Sequence, residues 1–96
     1  KSIAIYSLTE SALKQAAEII EEIIPGIKVH TSHDKVGTPS LESYAKTVDI
    51  FVIATSSAKH AATEFIQKNR PKDKITLYAA GKGSSSIIRA LEEQYV

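Results

Sequence analysis

A glycine- and serine-rich turn near the end of the chain has the residue types best suited to holding an anion. Residues 79–86 read Ala-Ala-Gly-Lys-Gly-Ser-Ser-Ser and lie between an apolar strand pattern and a helix pattern. Glycine lets the backbone approach a ligand closely, and a helix start offers free N–H groups with a partial positive charge. Serine hydroxyls add adjustable donors. The turn predicts a site for a phosphate-bearing small molecule, built from Gly81, Lys82, Gly83, Ser84, Ser85 and Ser86.

The same turn also has a purely structural explanation. A serine at a helix start satisfies a free backbone N–H without any ligand. Three successive serines exceed that need, because one oxygen suffices. The spacing of a P-loop is missing. The first strand-to-helix turn, residues 7–11, contains no glycine, which argues against NAD bound in the usual Rossmann position.

A second polar turn, residues 55–60, reads Thr-Ser-Ser-Ala-Lys-His. The lysine and the histidine fall in the first turn of a predicted helix, where an isolated cation is unfavourable but a cation beside a bound anion is useful. Local packing and exposure to solvent explain the pair equally well. We add to the predicted ligand-binding set Ser56, Ser57, Lys59 and His60, together with Ser7, Thr9 and Arg89.

Catalytic and metal-binding interpretations have weaker support. His30, His33 and His60 could form a zinc site, but the His-Thr-Ser-His spacing matches no metal motif. A Gly-x-Ser-x-Gly motif and the acidic member of a triad are not evident. We predict no metal and no cofactor, and the catalytic residues stay unassigned. The enzyme alternative is a nucleotide- or ester-cleaving activity that uses His60 or Glu64.

Hydrophobic periodicity predicts four strands that alternate with four helices. The strand patterns cover residues 2–7, 27–31, 49–54 and 75–78, and an amphipathic pattern follows each of them. This alternation predicts a parallel sheet with helices on both faces, and right-handed crossovers restrict its topology. We expect an α/β three-layer sandwich with strand order 2-1-3-4, of the flavodoxin-like or Rossmann-like class.

The predicted topology gathers the hydroxyl-rich turns at one edge of the sheet. The carboxyl ends of parallel strands meet there, and they are followed by residues 7–9, 31–33, 55–60 and 81–86. Ligands of open parallel sheets bind at this edge, where the strand order reverses. The opposite edge carries an ordinary solvated set of Pro, Gly, Lys and Asp residues.

Composition excludes several function classes. The 96 residues contain no cysteine, so a disulfide scaffold and thiolate chemistry are excluded. A formal net charge of +1 argues against nucleic acid as a partner of this domain alone. The apolar runs are far shorter than the roughly 20 residues that span a bilayer, so we expect a cytoplasmic protein without membrane contact.

Domain organisation follows from the length and from the first residue. Ninety-six residues predict a single Rossmann-like domain, residues 1–96. The chain begins with Lys1 rather than Met, and we expect a domain excised from a longer protein. A homodimer and a partner domain in the same chain stay open.

Three short segments in the second half also carry a resemblance to a known family. They are Asp-Ile-Phe-Val-Ile at residues 49–53, Ser-Ala-Lys-His-Ala-Ala at residues 57–62 and Ser-Ser-Ser-Ile-Ile-Arg-Ala-Leu at residues 84–91. With them, residues 48–92 resemble a bacterial family catalogued as domain of unknown function 2325. The resemblance implies a Rossmann-like fold and no established activity. That family commonly has a glycine in its first turn, where this chain has Ser7-Leu8-Thr9.

The layout is similar to that of nucleotide-sensing Rossmann domains of bacterial immune effectors. That similarity implies that the phosphates of a cyclic nucleotide contact Ser7, Thr9, Gly81, Lys82 and Ser84. Taken together, the sequence predicts a ligand-binding or sensory module with a regulatory role, which holds a nucleotide or another phosphate-bearing small molecule at the carboxyl edge of the sheet. Binding is favoured over catalysis. The alternatives are the cleavage enzyme and an interaction domain of a larger multidomain protein.

Overall fold

A computed structural model describes residues 1–81 and 83–95, with the backbone alone described for Ser57 and Tyr95. The strands are β1 (Ser2–Tyr6), β2 (Lys28–Ser32), β3 (Ile50–Ala54) and β4 (Ile75–Ala79). The helices are α1 (Glu10–Ile23), α2 (Pro39–Thr47), α3 (His60–Asn69) and α4 (Ser84–Tyr95), with a short 3-10 turn at Thr55–Ser57. None of the helices in the described part of the chain is both long and apolar enough to cross a membrane.

The sheet is parallel throughout, and its strand order is β2-β1-β3-β4. The predicted α/β sandwich with order 2-1-3-4 is therefore confirmed. In the register of the sheet, Ile3 of β1 lies between Val29 of β2 and Ile50 of β3. All five residues of β3 are buried. A strand that is covered on both faces reads as a continuous apolar run, which explains why β3 is the clearest strand in the sequence.

Two helical layers cover the sheet. Side chains of a strand alternate between its faces. Ile3 and Ile5 of β1 thus pack into the cluster beneath α1 and α4, while Ala4 and Tyr6 pack into the cluster beneath α2 and α3. The carboxyl ends of all four strands consequently share one edge, which we call the carboxyl edge.

Several element boundaries differ from the sequence prediction. Strand β2 begins at Lys28, because its backbone pairs in register with Ser2 of β1. The three serines of the glycine-rich turn form the first turn of α4 rather than a loop before it. The inner face of α3 differs as well: the apolar pattern predicts Ala61, Ala62, Phe65 and Ile66 on it, but Ala61 is exposed, while Ala62 and Ile66 are buried. Positions 62 and 66 are one helical turn apart and share a face, whereas position 61 is rotated away from it.

The opposite edge of the sheet is organised by Arg70, which follows α3. Its Nη1 donates to the carbonyl oxygens of Ala45 and Val48, at 2.9 and 2.7 Å. Its Nη2 donates to those of Asp49 and Ile75, at 3.1 and 2.6 Å. The last carbonyls of a helix have no partner within the helix. Arg70 therefore caps the end of α2 and ties it to the starts of β3 and β4.

Asp49, at the same edge, predicts a specific acid sensitivity. Its Oδ2 accepts a hydrogen bond from the Ser2 backbone N–H at 2.9 Å, and the Lys74 ammonium lies 3.9 Å from its Oδ1. The Ser2 hydrogen bond and, after it, the positive charge of Lys74 hold the pKa of Asp49 below its ordinary value. The charged carboxylate therefore stabilises the fold at pH values above its unfolded-state pKa, which is about 3.9.

We expect the wild type to be more stable than an Asp49→Asn variant, and we expect this difference in the free energy of unfolding to be largest at neutral pH. The difference should shrink as the pH falls below about 4, because protonation then removes the same interaction from the wild type. Urea unfolding at a series of pH values measures it. Asp73→Asn, at an exposed aspartate of the same edge, is the control. A difference that does not change with pH would contradict this role of the carboxylate.

Candidate ligand site at the carboxyl edge

The strand order of the sheet reverses between its two central strands. From β1 the chain crosses to β2 on one side, and from β3 it crosses to β4 on the other. The turns that follow β1 and β3 are thus neighbours, and the turn after β4 lies beside the turn after β3. The carboxyl edge at a reversal of strand order is the usual ligand position in open α/β sheets.

Tyr6 joins two loops of the carboxyl edge from beneath. Its side chain is fully buried at the end of β1. The phenol O–H donates to the carbonyl of Asp34 at 2.6 Å and accepts from the backbone N–H of Lys59 at 3.3 Å. Burial is the main cause of a raised pKa for Tyr6. Tyr6 is absent from the residues predicted from the sequence. A tyrosine in an otherwise apolar strand is nevertheless a signal, because a buried phenol needs a hydrogen-bond partner.

Asp34 connects the loop after β2 to the start of α2. Its Oδ2 accepts hydrogen bonds from the hydroxyls of Ser32 at 3.1 Å and Thr38 at 2.9 Å. The Thr38 hydroxyl in turn accepts from the backbone N–H of Leu41 at 3.1 Å, which caps α2. This carboxylate is therefore part of a capping network rather than an isolated negative charge at the edge.

In the turn between β1 and α1, Ser7 and Thr9 have different surroundings. Ser7 is fully buried, and its hydroxyl accepts from the backbone N–H of Thr9 at 3.1 Å. Its own backbone N–H donates to the carbonyl of Ser32 at 3.1 Å. Thr9 is half-buried at the position before α1. Ser7 thus stabilises the turn through buried hydrogen bonds, and Thr9 is the residue of the pair nearer to solvent.

The turn after β3 presents polar groups to solvent. Thr55 and Ser56 are exposed, and the Thr55 hydroxyl donates to the carbonyl of Ala79 at 3.1 Å, which ties this turn to the end of β4. Lys59 is exposed at the position before α3, while its backbone N–H is held by Tyr6. Of Ser57, the structure describes the backbone alone. The side chains of Ser56 and Lys59 are therefore open to a ligand from solvent.

His60 and Glu64, the residues of the enzyme alternative, pair with each other on the surface of α3. Their Nε2 and Oε1 atoms lie 2.5 Å apart, and the two side chains are 90% and 63% exposed. An exposed pair of this kind contributes little to stability. It also lacks the water-excluded surroundings that strengthen catalytic electrostatics.

The turn after β4 brings backbone and hydroxyls close together. A Cβ on Gly81 would collide with the hydroxyl of Ser86 where it lies, so a larger residue at this position would require the Ser86 side chain to move. Gly83 is exposed with open space at its Cα, and its carbonyl accepts from the backbone N–H of Ser86 at 3.2 Å. Lys82 lies outside the described residues.

The remaining members of the predicted set lie on α4. The Ser84 hydroxyl donates to Oε1 of Gln15 at 3.1 Å, which links the beginning of α4 to α1. Ser85 is exposed. Arg89 is exposed and lines a depression of about 230 Å³ with Tyr78, Ala80 and Ser86, on the outer side of β4. Arg89 is thus grouped with Ser86 and the end of β4 rather than with the first turn.

The three histidines are separated into different environments. His33 pairs with Glu10 at 2.9 Å between Nε2 and Oε1, and His30 stacks on Tyr44 with 4.7 Å between ring centroids. His60 pairs with Glu64 on the exposed surface of α3. Within residues 1–81 and 83–95, no group of three His, Cys, Asp or Glu side chains lies close enough to hold a metal ion.

Hydrogen-bond donors dominate the accessible part of the carboxyl edge. The first turn of α4 contains three serines and no acidic residue. Lys59 adds an exposed ammonium, while Glu10 is paired with His33 and Asp34 with two hydroxyls. A helix start with this composition is suited to an anion, because its first turn adds hydroxyl donors and no carboxylate to the partial positive charge of the helix.

Comparison with known proteins corrects one expectation. Residues 1–90 match the family described as DpdD-like. The match runs through both halves of the chain, so the resemblance of residues 48–92 to domain of unknown function 2325 is wrong. The short segments that carried that resemblance mark strand ends and helix starts of a parallel sheet, which unrelated families share. Neither a curated protein nor a solved structure matches the chain.

Proposed function

The chain belongs to the DpdD-like family. From the residues of its carboxyl edge, and not from the family name, we propose that it is a ligand-binding module. Its ligand is a phosphate-bearing small molecule, with a nucleotide as the first candidate. The ligand lies over the turns after β3 and β4 and contacts the start of α4. A regulatory role, a cytoplasmic setting and a bacterial origin remain predictions from the sequence.

The start of α4 is the observation that carries this proposal. It combines a glycine with open space at its Cα, an exposed serine and a first helical turn without a carboxylate. Each charge-assisted hydrogen bond to a phosphate would contribute about 1.5–3 kcal/mol. Micromolar affinity corresponds to about 8 kcal/mol, so it would take about three such bonds near the upper end of that range, from backbone N–H groups and Ser85.

The arrangement of the neighbouring turns supports the same position. The Thr55 hydroxyl holds the turn after β3 against the end of β4. Lys59, at the end of that turn, supplies an exposed ammonium at the same edge of the sheet. A phosphate at the start of α4 would therefore meet both a helix start and a nearby cation, which is the usual composition of a phosphate site.

A charge substitution at Ser85 tests the proposal. We expect Ser85→Glu to weaken binding of pyrophosphate and of ADP at least tenfold, because a carboxylate would occupy the anion position and repel the phosphate. The fold should remain intact, since an acidic residue in the first turn favours the helix. Isothermal titration calorimetry with both probes measures the affinity, and circular dichroism checks the fold.

Ser43→Glu provides the matched control for this experiment. It makes the same change at an exposed serine of α2, away from the start of α4. We expect its affinities to equal those of the wild type. Binding that survives Ser85→Glu unchanged would place the ligand elsewhere, and a wild type that binds neither probe would remove the proposal. Hydrolysis of ADP by the wild type would instead favour the cleavage enzyme.

A further inference from the structure

An apolar groove lies between α1 and α4, at the end of the sheet away from the candidate ligand site. It has a volume of about 300 Å³, and its floor and walls are apolar. Its lining is formed by Ile3, Ile20, Ile23, Ile24, Ile88 and Leu91, with Glu92 beside them. Ile3 belongs to the first half of β1, so this groove opens near the amino ends of the strands.

Several isoleucines near this groove, on α1 and just after it, are exposed to solvent. Ile23 is 66% exposed, and Ile19 and Ile24 are 36% and 37% exposed. By contrast, Ile20 and Leu91 in the floor of the groove are 3% and 6% exposed. Contiguous apolar surface of this kind, with charged residues around it, is typical of a protein interaction site.

Charge is distributed unevenly between the two helical layers. The sequences of α1 and α4 contain six carboxylates and two cations, namely Glu10, Glu18, Glu21, Glu22, Glu92 and Glu93 against Lys14 and Arg89. The sequences of α2 and α3 contain two carboxylates, Glu42 and Glu64, and two lysines, Lys46 and Lys68. The chain as a whole has a formal net charge of +1. The groove therefore lies in the negatively charged layer. Of these carboxylates, Glu92 lines the groove itself, whereas Glu10, Glu18 and Glu21 line a depression beside β2 and Glu93 lines one beside β4.

We propose that this groove binds an amphipathic segment of a partner protein, with apolar anchors and flanking Lys or Arg residues. The apolar walls would take the anchors, and Glu92 at the groove, within the net negative charge of the α1 and α4 layer, would attract the cations. A groove between two helices suits a helical segment whose anchors recur at positions i, i+3, i+4 and i+7. A second copy of this chain is a poorer occupant, because pairing the two grooves would bring like charges together.

Selection from a random peptide-display library tests this proposal. Peptides are selected on the wild-type chain and counter-selected on Ile23→Asp, which changes an exposed side chain of the groove. We expect the enriched peptides to have apolar residues at helical spacing and a net positive charge. Their synthetic forms should bind Ile23→Asp at least tenfold more weakly than the wild type. Their affinity should fall with rising salt concentration and with Glu92→Lys.

Val36→Asp is the matched control, because Val36 is a 60% exposed apolar residue in the loop after β2. The selected peptides should bind this variant as they bind the wild type. The proposal is overturned if no enriched peptide depends on Ile23, or if the enriched peptides are acidic. It is also overturned if the wild type sediments as a dimer that Ile23→Asp dissociates, since a second copy then occupies the groove. None of these outcomes depends on whether the carboxyl edge binds phosphate.

Discussion

Replacing Arg70 by methionine is expected to lower the free energy of unfolding by about 3 kcal/mol or more. Methionine keeps an apolar stem of similar length but leaves the carbonyls of Ala45, Val48, Asp49 and Ile75 without their guanidinium donor. An unsatisfied buried acceptor costs about 1–3 kcal/mol. The Asp49 carbonyl keeps a hydrogen bond from the Ile75 backbone N–H at 3.3 Å, and water can reach some of the other three. Single domains have stabilities of about 5–15 kcal/mol, so this loss would be a large fraction of the total.

The position of Arg70 explains why one side chain has so large an effect. It joins the end of α2 to the beginnings of two neighbouring strands, and its Nε also donates to the hydroxyl of Thr76 at 3.3 Å. The guanidinium lies 5.8 Å from the centroid of the Phe51 ring. Burial lowers the pKa of Arg70, and an arginine nevertheless stays charged at any ordinary pH. The cation also lies at the negative end of the α2 dipole.

The Arg70→Lys variant distinguishes the contribution of the positive charge to stability from that of the planar guanidinium geometry. We expect it to recover part of the loss, because an ammonium keeps the charge but cannot reproduce the planar fork that reaches four carbonyls. Urea unfolding followed by circular dichroism measures all three proteins. Lys72→Met, at an exposed position two residues further on, should stay within about 0.5 kcal/mol of the wild type. An Arg70→Met protein as stable as that control would show that these carbonyls are satisfied without the guanidinium.

Fold and topology could be predicted from the sequence because they depend on periodic features. The apolar run of β3 and the amphipathic pattern of α1 are local signals, and their alternation along the chain restricts the sheet to a few arrangements. Helix starts were less predictable. Ser84 can serve equally well as a cap or as a first helical residue, and the geometry of the preceding glycines decides between the two.

Residues that act through distant backbone groups could not be predicted in the same way. Arg70 bonds carbonyls up to 25 residues away, and Tyr6 bonds a carbonyl 28 residues away and an N–H 53 residues away. No spacing in the sequence records such contacts. Ser7 shows the converse case. A serine hydroxyl is a suitable ligand contact, but Ser7 directly follows the central strand β1 and is buried beneath the loops that meet there.

Tyr6→Phe is expected to lower the free energy of unfolding by about 1–3 kcal/mol and to loosen the carboxyl edge. The variant keeps the buried ring but removes the hydroxyl that accepts from the Lys59 N–H and donates to the Asp34 carbonyl. Both backbone groups then lose a partner close to a buried site, which carries the cost of an unsatisfied polar group. Urea unfolding measures the loss.

Local amide exchange distinguishes a change at this edge from a general loss of stability. With the phenol absent, the Lys59 N–H should exchange much faster relative to the amides of β3 than it does in the wild type, because its hydrogen bond is gone while the strand is intact. Tyr44→Phe is the control. Within the described part of the chain the Tyr44 hydroxyl has no hydrogen bond, so that variant should stay within about 0.5 kcal/mol of the wild type.

The ionisation of Tyr6 gives an independent check on the same contact. Burial raises its pKa above the ordinary value, so folding favours the neutral phenol. This contribution is fully present below about pH 10, the unfolded-state pKa, and is lost as the pH rises above it toward the folded value. Wild-type stability should therefore fall more steeply above that pH than the stability of Tyr6→Phe. Parallel curves for the two proteins in alkali would mean that the phenol is accessible to solvent, and the link between the loops after β2 and β3 would have to be carried by other residues.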